Sequence, residues 1–305
     1  MNAAIEKAAA LIEAHRYIRR FQGKIVVVKV GGSIQEDDER MRALLADVSF
    51  MSAVGMRPVI VHGGGKSITE AMSKAGLQAR FVQGRRYTDR ATLEIAEHVL
   101  VNEVNRFLVD NLNASGSRAL GLHSLGSCVL FADKLTLTDP KTREKLDLGY
   151  VGSVTSVNTV LLRAVCEDGY IPVLAPVALA RSAGPVTGSD AGEGVWKLNV
   201  NADTAAGHVA GALQAEKLVV LSDTHGIRTN PDDPESYAST LTRAQIDRLV
   251  KKGVIGEGML PKVEACLSAL NAGVPKAHII DGRIPHSLLL EIYTDEGIGT
   301  QITLD

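Results

Sequence analysis

Ile25-Val26-Val27-Val28-Lys29-Val30-Gly31-Gly32-Ser33 decides how this chain is read. The apolar run has the length of a buried strand, and the glycines sit where that strand ends. A second passage repeats the arrangement: Val59-Ile60-Val61 runs into His62-Gly63-Gly64-Gly65. In an open α/β sheet, ligands bind beyond the carboxyl ends of the strands. Glycine lets backbone N–H groups approach an anion with no Cβ in the way. Lys29 adds a full positive charge. Two such turns, one with a lysine, point to a phosphoryl cradle rather than to plain βα turns. Gly65-Lys66-Ser67 imitates the tail of a nucleotide P-loop, but that motif needs a glycine where Ile60 stands. A GxGxxG dinucleotide motif has no match either.

The 305 residues are enough for a large core and two lobes. With 45% hydrophobic and 22% charged residues, the composition is that of a soluble enzyme. A net charge of −2 favours no polyanionic partner, and 4% aromatics argues against base-stacking platforms, so no nucleic acid is expected. No apolar run approaches the ~20 residues of a membrane span, and no signal-peptide apolar region opens the chain. Cys128, Cys166 and Cys266 are odd in number and lack CxxC spacing, which reads as cytosolic core thiols. His62, His123 and His225 do not share metal-ligand spacing, so no protein metal site is expected.

Outward from the opening stretch, the pattern predicts an amphipathic helix over 2–20, with Ile5, Leu11, Ile12 and Ile18 at helical spacing. Strands are expected at 24–30 and 58–61, with helices at 36–54 and 66–75, a βαβ beginning. A hairpin over 81–87 leads to a helix over 90–113, capped by Thr88 or Asp89. A strand at 118–122, hairpins over 127–155, a helix at 157–168 and a strand at 171–177 follow. The stretch 180–195 reads as a surface loop. A strand at 197–200, a helix at 202–214, a strand at 217–221 and a loop at 230–237 come next. Helices at 242–252 and 258–272, a strand at 277–280 and a helix at 286–293 end the chain. A lobe boundary is placed near 215.

Four further passages carry chemistry. Arg85-Arg86-Tyr87-Thr88-Asp89 lies at a hairpin-to-helix junction, where an arginine fork suits a carboxylate, though a solvated charge pair is the plainer alternative. Asn199-Val200-Asn201-Ala202-Asp203 passes from strand to helix, and Asn201 also suits a helix cap. Ser222-Asp223-Thr224-His225-Gly226-Ile227 ends a strand. Gly256-Glu257-Gly258-Met259-Leu260-Pro261-Lys262 opens a helix with glycines and a lysine, as phosphate sites do.

Taken together and in this order, these motifs resemble the amino acid kinase family, and within it the arginine-sensitive branch that phosphorylates N-acetylglutamate. The resemblance rests on Lys29–Ser33, His62–Gly65, Gly84–Asp89, Asn199–Asp203, Ser222–Ile227 and Gly258–Leu267. It implies a three-layer α/β/α sandwich with a mainly parallel central sheet and two lobes. Residues 1–23 would be an oligomerisation helix, 24–214 the amino-acid lobe, and 215–305 the nucleotide lobe with a C-terminal effector segment. The implied reaction uses ATP with Mg2+ to convert N-acetyl-L-glutamate into an acyl phosphate in the cytoplasm. Lys29 and Lys262 would neutralise the transferring group, with Asp203 holding both. Gly31, Gly32, Gly64 and Gly65 would offer N–H groups, and Arg86 and Asn199 would bind the acceptor. Ser222, Asp223 and Gly258 would lie at the nucleotide. Tyr17, Lys217, His278, Glu291 and Gly297 would bind arginine as a feedback inhibitor, in a hexamer built as a trimer of dimers.

The chain departs from the family pattern at Lys66, at Glu257, in the 123–127 loop and in the long 180–195 loop. Two other readings therefore stay open: a kinase of another acidic amino-acid derivative, and a non-catalytic arginine- or nucleotide-binding regulator.

Overall fold

β1 (Ile25–Val30) is buried at every position, and the main sheet extends from it on both sides. The computed structural model describes residues 2–31, 37–138, 142–181, 197–256, 258–294 and 297–305. In chain order, α1 (Asn2–Phe21) precedes β1, and α2 (Asp38–Ala53), β2 (Arg57–His62) and α3 (Gly65–Lys74) follow it. A small hairpin of β3 (Phe81–Val82) and β4 (Arg85–Arg86) leads to α4 (Arg90–His98), a π-helical segment (Val99–Asn105) and α5 (Arg106–Ala114). Next come β5 (Ala119–Leu122), the short α6 (Ser124–Ser127), the hairpin of β6 (Leu130–Thr138) and β7 (Lys145–Val157), and α7 (Thr159–Glu167). Three strands, β8 (Ile171–Leu174), β9 (Val177–Ala180) and β10 (Lys197–Val200), precede α8 (Ala202–Leu213), β11 (Lys217–Ser222) and β12 (Thr240–Thr242). The described chain ends with α9 (Arg243–Lys251), α10 (Leu260–Asn271), β13 (Ala277–Asp281), α11 (Ser287–Tyr293) and β14 (Thr300–Thr303).

The main sheet has eight strands in the order β12-β14-β13-β11-β1-β2-β8-β5. Its pairings are parallel except that of β13 with β14. A parallel sheet needs cover on both faces, which explains the apolar run Ile25-Val26-Val27-Val28 of β1. Successive side chains alternate faces. Ile25 and Val27 join Val209 and Ala210 of α8 and Cys266 and Ala269 of α10 in one core cluster. Val26, Val28 and Val30 join Met41, Leu45 and Val48 of α2 in the other. The result is a three-layer α/β/α sandwich. Beside it, β10, β7, β6 and β9 close on one another as a small barrel, and β3 pairs with β4 in a two-stranded sheet.

The structure differs from the sequence reading at several elements. The helix expected over 90–113 is interrupted by a π-helical segment. The strand expected over 171–177 is two strands. Pro176 has no N–H for a ladder, and here the chain leaves β8 of the main sheet and enters β9 of the barrel. The short edge strands β12 and β14 were not expected at all. Most of the 180–195 loop lies outside the described residues.

Candidate active site

The alternation along β1 decides where Lys29 points. It shares the face of Ile25 and Val27, so it projects toward α8 and α10 rather than toward α2. Asn201 caps α8, its side chain accepting from Thr204 N, and Asp203 follows in the first turn, where the helix dipole favours an anion. Lys262 lies in the first turn of α10, just after Pro261. The two helices pack closely because Gly207 has no side chain: a Cβ there would stand 2.6 Å from the Ala265 carbonyl. Sequence-distant Lys29, Asp203 and Lys262 thereby converge.

Lys29 Nζ is 2.8 Å from Asp203 Oδ1, and Lys262 Nζ is 3.9 Å from Asp203 Oδ2. Burial alone would raise the Asp203 pKa, but the two lysines outweigh it and hold the carboxyl below its usual range. Burial lowers the Lys262 pKa, and Asp203 only partly restores it. Lys262 Nζ also donates to Gly258 O at 3.2 Å, which ties the glycine turn to the lysine.

Two cavities meet at Lys29. One, of about 250 Å3, is lined by Lys29, Gly64, Gly65, Arg86, Asn199 and Asp203, among others. The second, of about 320 Å3, runs past Lys29, Gly31, Gly65, Ser222, Asp223 and Lys262. Lys66 and Arg86 also line the second cavity, which is therefore strongly cationic. Gly32 and Glu257 lie outside the described residues.

Arg86 is buried on β4, with its guanidinium 4.8 Å from the centroid of the Phe81 ring. Nη2 donates to Gly65 O and Thr69 Oγ1, both at 2.7 Å, and Nη1 donates to Met72 Sδ at 3.2 Å. The fork expected to grip a carboxylate is thus partly engaged already, and it braces the second glycine turn. Asn199 Nδ2 donates to Thr88 Oγ1 at 3.2 Å, and that hydroxyl donates to the Arg86 carbonyl at 3.0 Å. Arg85 is turned away from this network, 3.4 Å from Glu264 on α10. Arg86 lines both cavities, so Arg86→Lys is expected to raise the KM for the acceptor by about tenfold and that for ATP by less, because lysine cannot reproduce the planar fork. Steady-state kinetics with each substrate varied checks this, and an equal rise for ATP would contradict it.

Sequence reasoning missed two features nearby. Asp281, buried at the carboxyl end of β13 beside Ser222, accepts from Arg283 Nη2 at 2.7 Å and lies 3.0 Å from His225 Nδ1. A separate cavity of about 270 Å3 is lined by Ile227, Tyr237, Val254, Ile255 and Met259, among others. His225 was in view within its motif, but no spacing linked it to Asp281. The apolar cavity is assembled from loops that carry no periodic signal.

At the opposite end of the same strands, Tyr17, Lys217, His278, Glu291 and Gly297 line one cavity of about 200 Å3. Lys217 opens β11, and Ser222, five residues on, closes it. Extended backbone makes that separation about 17 Å. Glu291 receives Lys217 Nζ and the Ile298 N–H, and lies 3.1 Å from His278 Nε2. Burial, reinforced by Lys217 and Lys276, pushes the His278 pKa down to about 3, so the ring is neutral near pH 7.

A mainly parallel α/β/α sandwich with lysines facing an aspartate beyond its strand ends is the design of a phosphotransferase, and the chain belongs to the amino acid kinase family, whose profile matches residues 24–281. Over nearly its whole length it is similar to acetylglutamate kinases. It is 44% identical over 299 residues to that of Symbiobacterium thermophilum, covering 98% of each chain. To that of Moorella thermoacetica it is 47% identical over 300 residues, covering 98% of this chain and 97% of the relative. Among solved structures, N-acetylglutamate synthase from Neisseria gonorrhoeae, complexed with coenzyme A and N-acetyl-glutamate, superposes with a TM-score of 0.82 at 26% identity. That match covers 98% of this chain and 63% of the synthase, so the chain spans under two thirds of that protein's length. An isopentenyl phosphate kinase shares the fold, with a TM-score of 0.60 at 19% identity, covering 92% of this chain and 100% of that one.

Proposed function

We propose that this chain transfers the γ-phosphoryl group of ATP to the side-chain carboxylate of N-acetyl-L-glutamate, forming an acyl phosphate in arginine biosynthesis. The observation that carries the reading is the Lys29–Asp203–Lys262 bridge at the junction of two cavities. The similarity to acetylglutamate kinases supports the acceptor. The acceptor would occupy the cavity beside Arg86 and Asn199. The triphosphate would lie along the cationic channel, near Ser222, Asp223 and Gly258, with the base in the apolar cavity at Tyr237.

A γ-carboxyl with a pKa of ~4.3 is ionised at pH 7, so no general base is required. One carboxylate oxygen attacks the γ-phosphorus in line, the bond from that phosphorus to the β,γ-bridging oxygen breaks, and ADP leaves. The barrier lies in bringing two anions together. Lys29, Lys262 and the N–H groups of Gly31, Gly32, Gly64 and Gly65 would offset that charge and fix the line of attack. Among the described residues, no group of three or more His, Cys, Asp and Glu side chains stands close enough to hold a metal. Mg2+ would be held on the nucleotide's own phosphates, where it would neutralise developing charge. The bridged lysines weigh against a non-catalytic regulator. The cavity lining includes no described residue of the altered 123–127 loop, which weakens the case for a different acceptor. ADP release measured with N-acetylglutamate, N-acetylaspartate and N-acetyl-aminoadipate tests the assignment, and N-acetylglutamate is expected to be the fastest.

The division into 1–23, 24–214 and 215–305 follows the same reading, although one sheet runs through the last two parts, β1 pairing with β11. A cytoplasmic setting agrees with free Cys128, Cys166 and Cys266, and no helix among the described residues is long and apolar enough to cross a membrane.

Arginine is proposed as a feedback inhibitor bound in the cavity of Tyr17, Lys217, His278, Glu291 and Gly297. The convergence of these residues, from both ends of the chain, supports it. Tyr17 comes from α1, whose Ile5, Leu11 and Ile12 are 61%, 67% and 77% exposed. Such a stripe suits a second copy of the helix, as in a hexameric trimer of dimers. Glu291→Ala is expected to abolish arginine inhibition while keeping most of the uninhibited activity. Deleting residues 1–20 should yield dimers with weakened inhibition. Light scattering and rates in millimolar arginine check both; an intact dimer whose rate ignores arginine would refute the effector site and leave the kinase assignment standing.

A further inference from the structure

The π-helical segment ends on Asn105, a residue that the mechanism above does not use. The next residue, Arg106, is exposed, while Asn105 is buried beside Val104. A π turn widens the helix by one residue, a distortion concentrated at functional sites. Room for the amide comes from Gly121 on β5, where a Cβ would collide with Asn105 Oδ1.

The hydrogen bonds of Asn105 dictate one another. Its Nδ2 is 2.8 Å from Val173 O and 3.1 Å from His62 Nε2. A carbonyl only accepts, so the amide nitrogen must face Val173. The second hydrogen of that nitrogen is then directed at His62 Nε2, which accepts it. The ring proton therefore resides on His62 Nδ1, which donates to Gly63 O at 3.0 Å. Burial of the imidazole, only partly offset by the Gly63 contact, pushes its pKa down to about 4, so the ring stays neutral near pH 7. In a planar trans peptide the C=O and N–H point in opposite directions. Holding the Gly63 carbonyl on the ring turns the Gly64 N–H the other way, and Gly63, Gly64 and Gly65 all line the acceptor cavity.

We propose that Asn105 is a positioning residue for the transfer: by dictating the tautomer of His62 it holds the Gly63 carbonyl and aims the Gly64 N–H at the transferring group. This rests on the assignment of the second glycine turn to the transfer site. The first measurement is independent of activity. Long-range 1H–15N NMR of the full chain labelled with [15N]histidine should show His62 neutral, with the proton on Nδ1, from about pH 8 to about pH 5.5. A proton on Nε2, or an imidazolium at about pH 6, overturns the proposal.

The second measurement is kinetic. Asn105→Asp cannot donate to either partner and places a carboxylate against Nε2. It should draw the ring proton to Nε2 in the NMR spectrum. It should also lower kcat by at least about tenfold, with both KM values within about threefold of the unmodified chain. Asn105→Ser, which can restore one donor, should retain more of the rate. Unchanged kcat in a folded Asn105→Asp chain overturns the proposal. Should neither variant fold, the tautomer in the unmodified chain decides it.

Discussion

Lys29→Ala and Lys262→Ala are each expected to lower kcat by roughly a hundredfold, on the order of 3 kcal/mol of barrier. KM for either substrate should move much less, because the charges matter most where two anions meet. Each lysine adjoins its own glycine turn, Lys29 near the end of β1 and Lys262 in the first turn of α10, and the two reach the same carboxylate. Lys29 lines both cavities, whereas Lys262 lines only the cationic channel. Lys262→Ala should therefore disturb the acceptor KM less than Lys29→Ala does. Near-normal kcat in either variant, measured with both substrates saturating, would show that the cradle is misassigned.

Asp203→Asn is expected to harm activity and stability together. The carboxylate is buried between two lysines, and removing one partner of a buried ion pair costs about 3–5 kcal/mol. Lys262 keeps some contact with the open channel, which favours the lower end of that range. The pH dependence has a definite sign. The folded carboxyl is held below its usual range, so its contribution is complete above about pH 4 and is lost as pH falls through the depressed value. The stability deficit of Asp203→Asn should thus be full at neutral pH and shrink in strong acid. Thermal melting checks this: a loss of about 5 °C or more is expected at neutral pH, and an unchanged Tm would contradict the bridge.

The fold was legible where burial and periodicity agree. β1 announces itself because both its faces are covered, so every position is apolar except Lys29. The two glycine turns were visible because they follow such strands directly. The cap at Asn201 and the hairpin that carries Arg86 were legible from turn and cap chemistry. Other features had no local signal. β12 and β14 are short edge strands, and the split at Pro176 depends on which sheet each half joins. The π-helical segment leaves the apolar pattern of 90–113 nearly helical, so a continuous helix was the natural reading. The proposed effector residues came from resemblance alone. Lys217 and His278 lie near the amino ends of their strands, whereas Ser222 and Asp281 lie at the carboxyl ends. Only the sheet register separates one site from the other.

A carboxylate oxygen of N-acetyl-L-glutamate is expected to attack the γ-phosphorus of ATP at Lys29 and Lys262. Hydroxylamine traps acyl phosphates as hydroxamates, which ferric iron makes visible and mass spectrometry identifies. The full chain with Mg2+, ATP and hydroxylamine should give the side-chain hydroxamate of N-acetylglutamate, at a rate matching ADP release. Glutamate with a free amino group, N-acetylaspartate and N-acetyl-aminoadipate should give far less. No hydroxamate from N-acetylglutamate, while another of these acceptors reacts, would contradict the account.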